Sequence, residues 1–225
     1  MGRNHTGDLL LALPVIKGLE EAGYEVGVQM PEIYYRPLSF LNLPRFTNIP
    51  KHCIAVTKYT KKGRHKTSNW IESLKQHGIY VTPVKAILDI VPNVSLLPDS
   101  NWCLLQPWCE DESKQYPVEV WQAIADRATA KGMKVALAGP AKYKEQIVGA
   151  LNIVGQDKDT WPSTIAAASL VVSVDSGAGH LADALGIPTI VLFKSTDPDE
   201  WAPYWDRSGV VTNLEDALKV MDNIL

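Results

Sequence analysis

Apolar residues recur at helical spacing near the start of the chain. Leu10, Leu13, Ile16 and Leu19 fall on one face, which predicts a helix over residues 9–22 closed by Gly23. Short strands are expected at 25–29 and 52–57, and Trp70, Ile71 and Leu74 mark a helix over 67–77 that Gly78 stops. Residues 92–100 hold two prolines and several turn formers and read as a domain boundary. Beyond them strand and helix alternate, with strands at 102–106, 133–138, 170–174 and 188–193. Helices are expected at 117–130, 141–151, 160–168, 177–185 and 213–225; Pro117 opens the first and Asn213 caps the last. The runs at 170–174 and 189–193 are continuously apolar, as parallel strands buried on both faces are. The fold class is therefore α/β, and open sheets of this kind bind ligands in the loops leaving the carboxyl ends of their strands.

Composition narrows this only a little. With 225 residues, 46% of them hydrophobic, the chain can bury a core of its own and is not disordered. A net charge of -3 argues against a globally basic nucleic-acid binder. Cys53, Cys103 and Cys109 fit no common zinc spacing and are expected to be free thiols in a reducing compartment. Polar residues Arg3, Asn4, His5 and Asp8 break any leader-like apolar run, and nothing approaches the roughly 20 apolar residues of a membrane span. The expected location is the cytoplasm, including the inner surface of the membrane. No cofactor and no metal ion is expected.

Four loops carry candidate chemistry. The first joins a buried strand to a helix through Asp175, Ser176, Gly177, Ala178, Gly179 and His180. Small residues there let a ligand approach the backbone, and the free amides and dipole of the helix start favour a phosphate. The blander reading is that Asp175 caps the helix and His180 is a satisfied, partly buried side chain. The second loop, Lys194 to Pro198, offers a cation and the hydroxyls of Ser195 and Thr196; it also reads as a turn that caps a short helix at Asp197 or Thr196, with Pro198 at its first position. The third brings Lys114 to a helix start at the same edge of the sheet. The fourth is the amino terminus, where Asp8 is either a helix cap or a general base and His5 is a second candidate base. A basic run from Lys58 to Lys66 reads as a solvated loop or, more sharply, as a contact for an anionic acceptor.

These residues resemble glycosyltransferase family 9, the ADP-heptose:lipopolysaccharide heptosyltransferases and their relatives. Gly7-Asp8-Leu9-Leu10-Leu11-Ala12-Leu13-Pro14 looks like the family's opening. Asp175-Ser176-Gly177-Ala178-Gly179-His180-Leu181-Ala182-Asp183-Ala184-Leu185-Gly186-Ile187-Pro188 resembles its second signature, followed by Thr196-Asp197-Pro198 and Trp201-Ala202-Pro203-Tyr204. Lys114, ahead of Pro117, resembles the lysine before the family's W-P turn; Lys194-Ser195 stands where the family usually has Gly-Pro.

The resemblance implies a GT-B-like fold: two Rossmann-like domains with a cleft between them, here with the N-terminal domain reduced. The expected division is 1–95 for the acceptor side and 96–225 for the nucleotide-sugar side, with the terminal helix free to pack back on the first domain. It implies transfer of a sugar from a nucleotide-diphosphate sugar, ADP-linked donors included, to an acceptor hydroxyl with inversion and without a metal. Asp8, with His5 behind it, would be the base. Lys114, Gly139, Asp175, Ser176, Gly177, Ala178, His180 and Thr196 would form the donor site, with Asp175 holding the loop or binding a sugar or ribose hydroxyl. Segments 139–141 and 154–156 would line the base pocket. Thr6, Gly7, Lys61, Lys62 and Arg64 would face a carbohydrate, lipid-linked or other anionic acceptor. Two other readings stay open: a non-catalytic nucleotide or nucleotide-sugar binder, and a glycosyltransferase acting on nucleic-acid bases.

Overall fold

The computed structural model describes residues 6–29, 35–46, 62–85 and 87–225. The predicted strand at 52–57, together with His5, Lys61 and Cys53, lies outside these.

The sheet has six strands, all parallel: β1 (Trp102–Gln106), β2 (Lys134–Leu137), β3 (Leu151–Asn152), β4 (Leu170–Val174), β5 (Thr189–Leu192) and β6 (Val210–Val211). Their spatial order is β3-β2-β1-β4-β5-β6, the doubly wound Rossmann order. The winding reverses between β1 and β4, which pair with Leu104 opposite Val171 and Gln106 opposite Ser173. Chain leaving the carboxyl ends of those two strands diverges there and opens a crevice. The Lys114 and Asp175 loops are the two segments that leave them.

Helices cover both faces. Those after the first strand are α3 (Val118–Ala130), α4 (Trp161–Ala166), α5 (Gly177–Ala184), α6 (Pro198–Trp201) and α7 (Leu214–Ile224); α1 (Thr6–Glu21) and α2 (Lys66–Lys75) precede it. One face buries Trp121, Ile124 and Ala128 of α3 and Ala217 and Met221 of α7 against Leu105, Val172, Ile190 and Leu192. Ala217 and Met221 of the terminal helix thus pack on the second half of the chain. The other face buries Leu104, Ala136 and Val171 under Leu181 of α5 and under Leu9, Leu10, Leu13 and Ile16 of α1. The first half therefore completes the core of the second half's sheet.

Helix α1 carries Pro14 in its interior, which removes one helical hydrogen bond. Nearby carbonyls are taken up from outside the helix: Thr67 Oγ1 donates to Leu11 O at 2.7 Å and the Val84 amide to Pro14 O at 2.9 Å. Two expected elements are absent. Residues 25–29 hold a single bridge, Val28 to Arg45, in place of a strand. Residues 141–150 are turns and extended chain in place of a helix. The side-chain amide of Gln122 clips this segment, accepting from the Val148 amide at 2.8 Å and donating to its carbonyl at 3.2 Å, and Gly149 takes a positive φ of 80°.

Candidate functional site

The carboxyl edge of β1 and β4 gathers most of the expected site residues. Asp175 follows β4 and is buried. Its Oδ2 accepts from Lys114 Nζ at 2.7 Å and from Thr196 Oγ1 at 2.7 Å, and its Oδ1 lies 3.9 Å from His180 Nε2. Three loops, leaving β1, β4 and β5, are thus tied at one carboxylate. Asp175 is not the cap of α5; Ser176 is, accepting from the Ala178 amide at 3.3 Å. Lys114 ends a short 3-10 turn, Glu112–Lys114, capped by Asp111, whose side chain accepts from the Ser113 amide at 3.0 Å. Its side chain is only 20% exposed, and with Asp175 it forms a pair largely removed from water. Removing one member of such a pair leaves a buried uncompensated charge.

His180 is buried one turn into α5. Burial pushes its pKa down to about 4, against the opposing pull of the Asp175 and Asp8 carboxylates. It is neutral at pH 7. The thiols of Cys103, inside β1, and Cys109, in the loop after it, are inert for the same reason: burial raises Cys109 to about 11 and Cys103 to about 12.

The amino-terminal loop reaches the same place. Helix α1 begins at Thr6, three residues earlier than its apolar pattern suggests, so buried Asp8 stands inside the first turn rather than capping it from outside. Gly7 packs directly on α5: a Cβ at Gly7 would lie 3.6 Å from Gly177 Cα and 3.6 Å from His180 Cδ2. One at Gly177 would lie 3.5 Å from Trp161 Cη2. Two helix starts therefore meet, with Asp8, His180 and the Asp175 network around them.

Some expected residues serve other ends. Lys194 turns away and donates to Gln115 O at 2.7 Å, while Ser195 Oγ lies 2.8 Å from Ser113 Oγ. Gly139 and Gly155 are joined by a backbone hydrogen bond of 2.9 Å, which brings the two expected base-pocket segments together, beside Tyr143 and Trp108. The basic run is not uniformly solvated. Lys62 is exposed and Arg64 pairs with Glu72 at 3.5 Å, but Lys66 is buried at the start of α2, with its ammonium 2.7 Å from Glu200 Oε2. His65 caps α2, Nδ1 accepting from the Thr67 amide at 3.1 Å and Nε2 donating to Ala202 O at 2.8 Å. Sequence reasoning gave no site role to Glu200, Trp201 or Trp161; Glu200 and Trp201 meet Lys66 from more than 130 positions away, and nothing local marks such a contact.

Residues 94–223, more than half of the chain, match the model for glycosyltransferase family 9 (heptosyltransferase). The chain belongs to glycosyltransferase family 9. Its fold is α/β and follows, along nearly the whole chain, the GT-B-like plan of two Rossmann-like domains; among the described residues the parallel sheet lies in the second half and the first half contributes helices. The crystal structure of a family 9 glycosyl transferase from Veillonella parvula aligns over 99% of this chain and 95% of that one, with a TM-score of 0.76 at 14% identity. E. coli heptosyltransferase WaaC with ADP aligns over 99% and 98%, with a TM-score of 0.67 at 14% identity. In sequence, this family 9 member is 32% identical over 99 residues to lipopolysaccharide heptosyltransferase 1 of Pseudomonas aeruginosa, 38% of this chain and 26% of that protein. The match thus spans about a quarter of that relative's length. Among the described residues no group of three or more His, Cys, Asp or Glu side chains is arranged to hold a metal ion, and no helix is long and apolar enough to cross a membrane.

Proposed function

We propose that this chain is a glycosyltransferase that moves a sugar from a nucleotide-diphosphate sugar to an acceptor hydroxyl, inverting the anomeric centre and using no metal ion. The observation that carries this reading is the meeting of two helix starts, at Gly7 and Gly177, over the Lys114–Asp175–Thr196 network. In this reading the diphosphate sits at the start of α5, where unpaired amides and the helix dipole favour an anion. Lys114, mounted on the Asp175 carboxylate, supplies the cation. Asp8 takes the proton of the acceptor hydroxyl while its oxygen attacks the anomeric carbon. The bond from that carbon to the diphosphate oxygen breaks on the opposite face, and its electron pair leaves with the diphosphate, steadied by Lys114 and the helix start. His180, neutral and buried, shapes the floor. His5 remains the second candidate base, and Thr6, Gly7, Lys61, Lys62 and Arg64 remain assigned to the acceptor side.

The names of the relatives make ADP-linked heptose and a lipopolysaccharide acceptor the first pair to try, on the inner face of the membrane. A thermal-shift panel of nucleoside diphosphates and nucleotide sugars tests the donor half, since the right ligand raises the melting temperature by mass action. A flat panel would sink the reading. Binding without turnover against any acceptor would favour the second reading, a nucleotide-sugar binder. A nucleic-acid acceptor draws less support, since Lys66 and Arg64 of the basic run are already paired.

A further inference from the structure

Among the described residues, a set of polar contacts between the first half of the chain and the site loops centres on Glu200, a residue of α6 that the proposed chemistry does not use. Its carboxylate is buried. Oε2 accepts from Lys66 Nζ at 2.7 Å, and Oε1 accepts from the Gly63 amide. Next door, Ala202 O accepts from His65 Nε2 at 2.8 Å. Glu200 and Ala202, at the end of α6 and just past it, thus hold one turn of the first half, 63–66, across 134 to 137 positions of sequence. Between Glu200 and Ala202, the Trp201 ring carries two ammonium groups: Lys66 Nζ lies 4.4 Å from its centroid and Lys114 Nζ lies 5.9 Å from it. Lys114 is the site lysine. The loop that leads into α6 also supplies Thr196 to Asp175.

We propose that Glu200 is a positioning residue: by holding Lys66 and the 63–66 turn, it fixes α6, and through α6 it sets both the Trp201 face against Lys114 and the Thr196 hydroxyl on Asp175. The physical argument is one of compensation. Lys66 has a 7% exposed side chain, so taking away the Glu200 carboxylate would leave its ammonium buried and uncompensated. The pair therefore locks a polar joint where an apolar one would slide. Lys66 and Glu200 touch no part of the expected ligand and act only through Trp201 and Thr196. The inference rests on the proposed donor site for its use, but not for its existence.

Amide hydrogen exchange on the whole chain tests it without any ligand. Glu200→Gln leaves Lys66 buried and unpaired and is at risk of unfolding, so the main variant is Lys66→Met/Glu200→Met, which replaces the pair by apolar groups of similar length. With the melting temperature retained, exchange at 199–202, whose amides bond to residues 197 and 198, should rise tenfold or more, together with exchange at 63–66. Lys66→Arg, which keeps the charge on Glu200, should exchange like the wild type. If 63–66 loosens while 199–202 stays at the wild-type rate, Glu200 is a local tie and the proposal falls. It falls equally if Lys66→Arg loosens 199–202 as much as the methionine pair does. A separate titration with ADP keeps the two readings apart: absence of binding overturns the donor site, while the ligand-free exchange rates still decide the role of Glu200.

Discussion

Asp8 occupies the first turn of α1, buried beside the start of α5, and both of its rival roles can be separated by one atom. Asparagine keeps the shape and the hydrogen-bonding oxygen but cannot take a proton. If Asp8 is the base, Asp8→Asn should lower turnover by about 10²–10⁴ while nucleotide affinity holds; if it only stabilises the helix start, stability falls by about 1 kcal/mol or less and turnover survives. Steady-state rates beside a calorimetric nucleotide affinity read the difference. Lys114 calls for a different comparison, because it also neutralises Asp175. Lys114→Ala should destabilise the protein, and a loss of general stability would weaken every ligand alike. A phosphate contact instead weakens a nucleoside diphosphate more than its parent nucleoside, by about 1–3 kcal/mol. Equal losses by calorimetry would remove Lys114 from the phosphate site and leave it as the partner of Asp175 alone.

At the scale of elements, the parallel strands were legible because burial on both faces writes itself as an unbroken apolar run, and β1 and β4 fall where the sequence puts them. Caps were legible for the same local reason: Asn213 accepts from the Asp216 amide at 2.9 Å and Asp197 from the Asp199 amide at 2.9 Å. The segment 141–150 was misread because Tyr143 and Ile147 have helical spacing, while the deciding contact, Gln122 on Val148, comes from 26 residues away. The site divides likewise. Its loops follow from strand ends, but the Lys114–Asp175 tie and the Glu200 joint depend on a fold that brings distant residues together. Gly18 of α1 shows the same tension in energetic terms. Helix propensity alone says that Gly18→Ala stabilises by about 1 kcal/mol. In the fold a Cβ there would overlap the Thr82 carbonyl and lie 2.8 Å from Val81 Cγ2. The expected result is the opposite sign, a lower urea midpoint for Gly18→Ala; a rise would mean that residues 81–82 can back away from the helix at little cost.

The molecule as a whole carries two groups on α5, buried His180 and half-buried Asp183, whose titrations oppose each other. His180 has its pKa lowered from 6.5 to about 4 by burial. Its neutral form is favoured by folding, so its stability contribution is complete above pH 6.5 and is lost as pH falls towards 4, by about 3 kcal/mol. Asp183, one turn later on α5, has its pKa raised from 3.8 to about 6 by burial, with Lys85 pulling it down and Asp206 pushing it up. Its protonated form is favoured by folding, so stability is gained as pH falls through 6, again by about 3 kcal/mol. Burial also lowers His65, adding a smaller loss of the same sign as that of His180. The wild type should therefore show a shallow pH dependence between 7 and 4.5, and the variants should uncover what it hides. Asp183→Asn removes the compensating group and should make the urea midpoint fall steeply below pH 6.5. His180→Gln removes the opposing one and should make the midpoint level or rising over the same range. Both variants following the wild-type profile in parallel would show that neither group is held away from its ordinary pKa, and that α5 is wetter at both ends than its packing implies.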